Sequence, residues 1–408
     1  MLTRRSFLSS SAITLVAAGA APTWLLRAAA QSAQGPQGKT GRKILVAIFQ
    51  RGAADGLNVV VPFFEPRYYQ LRPSIAIQQP GKPNGGLDLD GRFALHPALQ
   101  PLKAMWDSRQ LAIVHSAGSH DPSRSHFDAQ DFMECGTPGI KRADGWLNRA
   151  LTPVAPDSSP VRAIASGAQL PKTLQGSRGA IAVDSLPRFQ VADKTTAELL
   201  EHLYSTSPDA QLKAQGQATF DAVKLIESIR TRPYTPTAGA QYVGEFGQRL
   251  QQIARLIKAD VGVEVAFADI GGWDHHSNET GQLTNQLRQF GSSLAAFTQD
   301  LGDRMEDVVL VTMSEFGRTA AENGNAGTDH GHGNVMMVLG GGVRGGRLYG
   351  EWPGLEPEQL FERRDLAVTT DFRDVLGELV SGHLGQKVDQ VFPGYAPKTT
   401  LGLLTSSG

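Results

Sequence analysis

Short, nearly continuous apolar runs recur along the chain at residues 43–49, 111–115, 161–165, 263–268, 308–313 and 334–339, each followed within three residues by Gly, Asp or Ser. Runs of this length without polar alternation predict strands buried on both faces. Between them, apolar positions recur at helical spacing over residues 97–107, 126–135, 197–204, 211–229, 241–259, 280–305 and 372–384. Strands alternating with amphipathic helices predict an α/β fold, a mainly parallel sheet with helices on both faces. Residues 208–260 are helix-rich and broken by Arg232-Pro233-Tyr234-Thr235-Pro236, which predicts a helical insertion. In such a sheet, functional groups gather beyond the carboxyl ends of the strands.

The N-terminus departs from this pattern. Thr3-Arg4-Arg5-Ser6-Phe7-Leu8 precedes a small-residue apolar stretch, residues 12–21, with no acidic side chain. That is the pattern of a twin-arginine signal peptide. The stretch is shorter than the ~20 residues of a membrane span, so no permanent span is expected. Cleavage after Ala28-Ala29-Ala30 divides the chain into a signal peptide (1–30), a flexible leader (31–41) and a single domain (42–408). The expected partner is the twin-arginine export machinery, and the expected location is periplasmic or secreted.

Composition narrows the function further. Lys and Arg total 39 against 40 Asp and Glu, a formal net charge of −1 that provides no footprint for nucleic acid. Of the 408 residues 40% are hydrophobic, enough for one large core, and the single Cys135 excludes an internal disulfide.

The unusual polar residues fall after the predicted strands. Arg51-Gly52-Ala53-Ala54-Asp55-Gly56 follows the first, and Asp-Gly there is also an ordinary turn signal. Ser123-Arg124-Ser125-His126 precedes a helix, where Ser125 is placed either as an N-cap or as a hydroxyl near the helix dipole. Asp269-Ile270-Gly271-Gly272-Trp273-Asp274-His275-His276 follows the fourth run, and Ser314-Glu315-Phe316-Gly317-Arg318 the fifth. Gly327-Thr328-Asp329-His330-Gly331-His332 leads into the sixth. Two of these loops carry four of the chain's ten histidines beside carboxylates. Imidazoles and carboxylates converging from several loops are the donor set of a divalent cation, with zinc, manganese or calcium as the options. The run Gly340-Gly341-Gly342-Val343-Arg344-Gly345-Gly346 leads into another strand and reads as a hairpin turn rather than a phosphate cradle.

These segments together resemble the secreted, twin-arginine-exported proteins of domain-of-unknown-function family 1501, which are similar to the alkaline phosphatase and sulfatase superfamily. The matching motifs are the leader, R-G-A-A-D-G-L-N at Arg51, S-R-S-H-F at Ser123, G-G-W-D-H-H at Gly271, S-E-F-G-R-T at Ser314, G-T-D-H-G at Gly327, G-G-G-V-R-G-G at Gly340 and F-P-G-Y at Phe392. The resemblance implies an alkaline phosphatase-like fold and a metal-dependent hydrolase of phosphate or sulfate esters, acting on a small-molecule or glycan ester. Carried over by position, it makes Ser125 the nucleophile and Asp55 the first-strand ligand. Asp274 and His276 become ligands, joined by His330 or His332, with Glu315 and Asp329 as further metal candidates. Arg51, Arg124 and Arg318 would neutralise the transferred group. Glu315-Phe316 departs from the Asp-His pair common in that superfamily, and Asp274 and His276 stand closer than its usual four-residue separation. The alternative is a non-catalytic extracytoplasmic binding or assembly protein that retains the fold and one metal.

Overall fold

A computed structural model describes residues 41–155, 158–189 and 194–405; the expected signal peptide and all but the last residue of the expected leader lie outside the described residues. Nine strands form the main sheet: β1 Ile44–Gln50, β2 Leu111–Gly118, β3 Ala163–Ser166, β4 Ile181–Val183, β5 Val265–Ile270, β6 Val308–Met313, β7 Asn334–Gly340, β8 Arg347–Tyr349 and β9 Thr370–Asp371. Their order is β8-β2-β7-β6-β1-β5-β3-β4, with β9 also on β2. The pairs are parallel except those of β7, which runs antiparallel to both β2 and β6.

That one reversal positions the site. Because β7 is reversed, its N-terminal end lies beside the C-terminal ends of β1, β2, β5 and β6, so residues 314–333 stay at one edge. Phe49 stands opposite Asp269 on one side and Met313 on the other, so the loops that follow leave the sheet at one level.

Alternate residues of β1 enter different cores, as period-two side-chain direction requires. Leu45, Ala47 and Phe49 pack with Trp146, Phe372, Val375 and Leu379. Ile44, Val46 and Ile48 face Leu102, Leu250, Leu287 and Phe290. Both faces are therefore covered by helices, and a polar residue within β1 would be buried whichever way it pointed.

Helices Ala210–Arg230 and Gly244–Lys258 lie between β4 and β5, and Phe246, Leu250 and Ile253 of the second belong to the sheet's own core. The break between them is held by Asp300, which accepts bonds from Tyr234, from Tyr242 Oη at 2.9 Å, from the Thr237 N–H at 2.8 Å and from Lys258 Nζ at 2.7 Å. The glycine-rich run after β7 is not a hairpin turn. It crosses over so that β8 pairs in parallel with β2, on the far side from β7. Among the described residues no helix is long and apolar enough to cross a membrane.

Candidate metal centre

Four side chains from three loops meet beyond the sheet edge. His126 opens the helix His126–Cys135, Asp274 and His276 come from the loop after β5, and His330 comes from the loop before β7. Nε2 of His330 lies 3.0 Å from Nε2 of His126 and 3.1 Å from Nε2 of His276. Asp274 Oδ1 lies 3.0 Å from His276 Nε2 and 3.2 Å from His330 Nε2, and its Oδ2 is 3.4 Å from His126 Nε2.

The other nitrogen of each ring decides what these contacts are. His126 Nδ1 is 2.8 Å from Glu315 Oε1, His276 Nδ1 is 2.9 Å from Asp329 Oδ1, and His330 Nδ1 is 2.9 Å from the Arg124 carbonyl oxygen. All three partners are acceptors, so each Nδ1 carries the proton and each Nε2 of a neutral ring presents a lone pair. Three lone pairs and a carboxylate at ~3 Å repel one another, and one added proton bridges a single pair. A cation among His126, Asp274 and His330, whose donor atoms are mutually close, satisfies those three, and His276 Nε2 stands beside Asp274 and His330 at the edge of the set. Zinc bonded at ~2.0–2.1 Å in a tetrahedron separates its donor atoms by about 3.3 Å, close to the spacing among His126, Asp274 and His330. The Nδ1 partners are the outer shell that metal-binding imidazoles require.

The surrounding charges hold the set in its binding form. Burial opposes ionisation of Asp274, but the Arg318 guanidinium, 2.6 Å from Oδ1, keeps it below the usual carboxylate range. Glu315 is buried, and donors from His126, Gln130 and Gly52 outweigh that and hold it low.

The loops are joined by backbone bonds, from Thr328 N to His275 O at 3.0 Å and from Thr319 N to Asp329 O at 2.9 Å. Two glycines are required by this closeness. A Cβ on Gly327 would stand 2.4 Å from the His276 carbonyl carbon, and one on Gly52, whose φ is +115°, 2.8 Å from Asp274 N.

The model of a family described as a protein of unknown function (DUF1501) matches residues 42–388. The chain belongs to this family. No curated protein matches it in sequence. Among solved structures, the DUF1501 chain is similar to the PsFucS1 sulfatase from Pseudoalteromonas sp. at 10% identity and a TM-score of 0.36, over 95% of this chain and 77% of that one. It is also similar to the zinc complex of the C-terminal periplasmic domain of EcEptC from Escherichia coli, at 8% identity and a TM-score of 0.33 over 75% and 74%. Alkaline phosphatase from the Antarctic bacterium TAB5 matches at 10% and 0.30 over 74% and 92%. Likenesses this remote carry no argument about the DUF1501 chain's chemistry.

The residues expected from sequence separate into distinct groups. Asp274, His276 and His330 converge. Glu315 and Asp329 touch the ligand imidazoles at Nδ1 and do not reach the centre. His332 does not join the centre; its ring stacks on Phe361 at 4.0 Å, and burial lowers its pKa to about 4. Asp55 is bound through both oxygens by the buried Arg72 guanidinium, with Oδ1 2.9 Å from Nη2. Arg51 is engaged by Asp269 and Glu134, Arg124 by Asp365 and Glu362, and Arg318 by Asp274. Ser125 is the N-cap residue by backbone, but its hydroxyl makes no cap bond. His126 was not among the expected ligands. It stands inside the same S-R-S-H-F segment, next to Ser125, in a stretch that also holds His115 and His120.

Proposed function

We propose that this DUF1501 protein is an extracytoplasmic, metal-dependent hydrolase of phosphate or sulfate esters built on a single cation site. The observation that carries the reading is the convergence of donor atoms of His126, Asp274 and His330, with His276 Nε2 beside the last two. His126, Asp274, His276 and His330 would hold the cation, and zinc suits three imidazoles and one carboxylate better than calcium. When bound, a divalent cation supplies Lewis-acid polarisation of an ester's oxygens. Ser125 is the nucleophile in this reading. Its hydroxyl is not used in capping, and the helix N-terminus favours the anion it would become. With Arg51 and Arg124 engaged in ion pairs, and only Nη2 of Arg318 bound, the helix N-terminus and the cation together carry most of the charge of the transferred group.

A specific observation favours a second reading, a non-catalytic binding or assembly protein: His276 stands beside the trio of His126, Asp274 and His330, and a fourth protein donor would close the shell as in structural zinc sites. Elemental analysis of the mature protein, with assays on aryl phosphates and aryl sulfates in added zinc, manganese or calcium, separates the two. The first reading expects bound metal and turnover. Because the Ser125 hydroxyl caps nothing, Ser125→Ala should cost little stability while ester cleavage falls by several orders of magnitude. Wild-type turnover in that variant removes Ser125 from the role, and metal without turnover on any ester favours the second reading.

The location proposed is periplasmic or secreted, reached through the twin-arginine machinery. Replacing Arg4 and Arg5 together with lysine should leave precursor in the cytoplasm; normal export of that variant while the general secretion route is blocked would contradict the route.

A further inference from the structure

Behind the metal centre lies a buried polar cluster that the proposed chemistry does not use. Glu279, the first residue of the helix Glu279–Leu301, is fully buried. Its Oε2 accepts the Thr328 hydroxyl at 2.7 Å, and its backbone N–H reaches the Ala326 carbonyl at 2.8 Å, both in the loop before β7. Its Oε1 has no donor from the protein. The side chain lies against the Asp55 carboxylate, close enough for a hydrogen bond between the two acids.

The charges around it are already matched. Arg72 is bound to Asp55 through both of that residue's oxygens, and Arg318 is bound to Asp274. His96 and His275 also face Asp55, but burial lowers both, His96 to about 4, so neither is a cation at neutral pH. Among the described residues no cation is hydrogen-bonded to Glu279, and the guanidinium that acts on it, Arg72, is bound to Asp55. An ionised Glu279 would be a water-excluded carboxylate against a second carboxylate, the arrangement in which one group keeps a proton.

We infer that Glu279 is a neutral carboxylic acid whose O–H donates to Asp55, clamping the loop after β1 to the two loops that present Asp274, His276 and His330. In this form every oxygen of the pair has a partner, including the otherwise orphaned Oε1. Burial and the neighbouring Asp55 carboxylate both push the group well above the usual carboxylate range, in agreement with that geometry. Glu279 is thus a positioning residue; it touches none of the four converging side chains.

The sign of the pH effect follows. Folded Glu279 holds a proton that the unfolded chain, with an ordinary glutamate pKa of about 4.3, releases, so stability is lost as pH rises above that value. Glutamine keeps both bonds, its amide donating to Asp55 and accepting from Thr328, and has no proton to lose.

The test compares wild type with Glu279→Gln, both treated with chelator, by denaturant unfolding from pH 5 to pH 8. The ratio of their unfolding equilibrium constants should grow with pH above the unfolded value, by up to about tenfold per pH unit. Infrared spectra of the wild type with ¹³C-labelled glutamate should show a protonated-acid carbonyl band at pH 7, a readout that needs no variant. A ratio constant over that range, or no such band, overturns the neutral acid. The positioning role rests on the metal-site reading and has its own arm, zinc titration: Glu279→Gln should stay within a few-fold of wild type and Glu279→Ala should weaken far more. Equal loss in both variants overturns the clamp. Wild type that binds no zinc defeats the metal site and, with it, the positioning role, while the proton measurements still decide the state of Glu279.

Discussion

Replacing His126 with alanine should lower zinc affinity by more than the roughly 10- to 100-fold that loss of an outer-shell partner costs. The side chain provides one of four converging donors, and its Nδ1 links the centre to buried Glu315. Alanine is the best helix former, and His126 is the first residue of its helix, so the fold should tolerate the change. Competition with a chromogenic chelator reads the affinity, and circular dichroism reads the fold. His332→Ala is the matched control. Its ring packs on Phe361 away from the centre, so affinity should hold, although from sequence it was as good a ligand as His330. Affinity of the wild type should also fall as pH drops through the imidazole range, near 6.5 for an unperturbed ring, because protons compete for the same nitrogens. Unchanged zinc affinity in His126→Ala, with His332→Ala impaired, would move the centre elsewhere.

The contrast between His330 and His332 shows where sequence reading ends. The sheet was legible because buried strands need unbroken apolar runs, and β1, β2, β5, β6 and β7 each have one. Short strands such as β4 and β9, with three and two residues, leave no such trace. The loops were legible as a candidate metal site because Asp and His concentrate there. What composition cannot tell is direction. Two residues apart in an extended segment, His330 and His332 are equivalent in spacing, yet one ring meets His126 and the other meets Phe361. Nor does a loop motif reveal its counter-ion: Asp55 and Arg72 are separated by 17 residues, and nothing in the R-G-A-A-D-G segment points to the arginine.

That counter-ion yields the sharpest separation between a one-metal and a two-metal site. Arg72→Met keeps most of the side-chain volume and removes the charge, leaving Asp55 buried beside Glu279 without a cation. Breaking a buried ion pair from one side typically costs about 3–5 kcal/mol, because the remaining charge is stranded. The Arg72 guanidinium also donates to the backbone carbonyls of Thr319 and Ala320 at 2.9 Å each, so its loss should loosen the β6–β7 loop as well. Denaturant unfolding should therefore show a loss at the upper part of that range, equal in chelator and in excess zinc once the zinc stabilisation of wild type is subtracted. The equality is the informative part. If Asp55 were available as a ligand, freeing it from Arg72 would create a site for a second cation, and added zinc would restore the lost stability. Restoration by zinc, together with a second bound metal by elemental analysis, would return Asp55 to the role its position after the first strand suggests. A loss indifferent to zinc fixes Asp55 as the partner of Arg72 and leaves the centre with one cation.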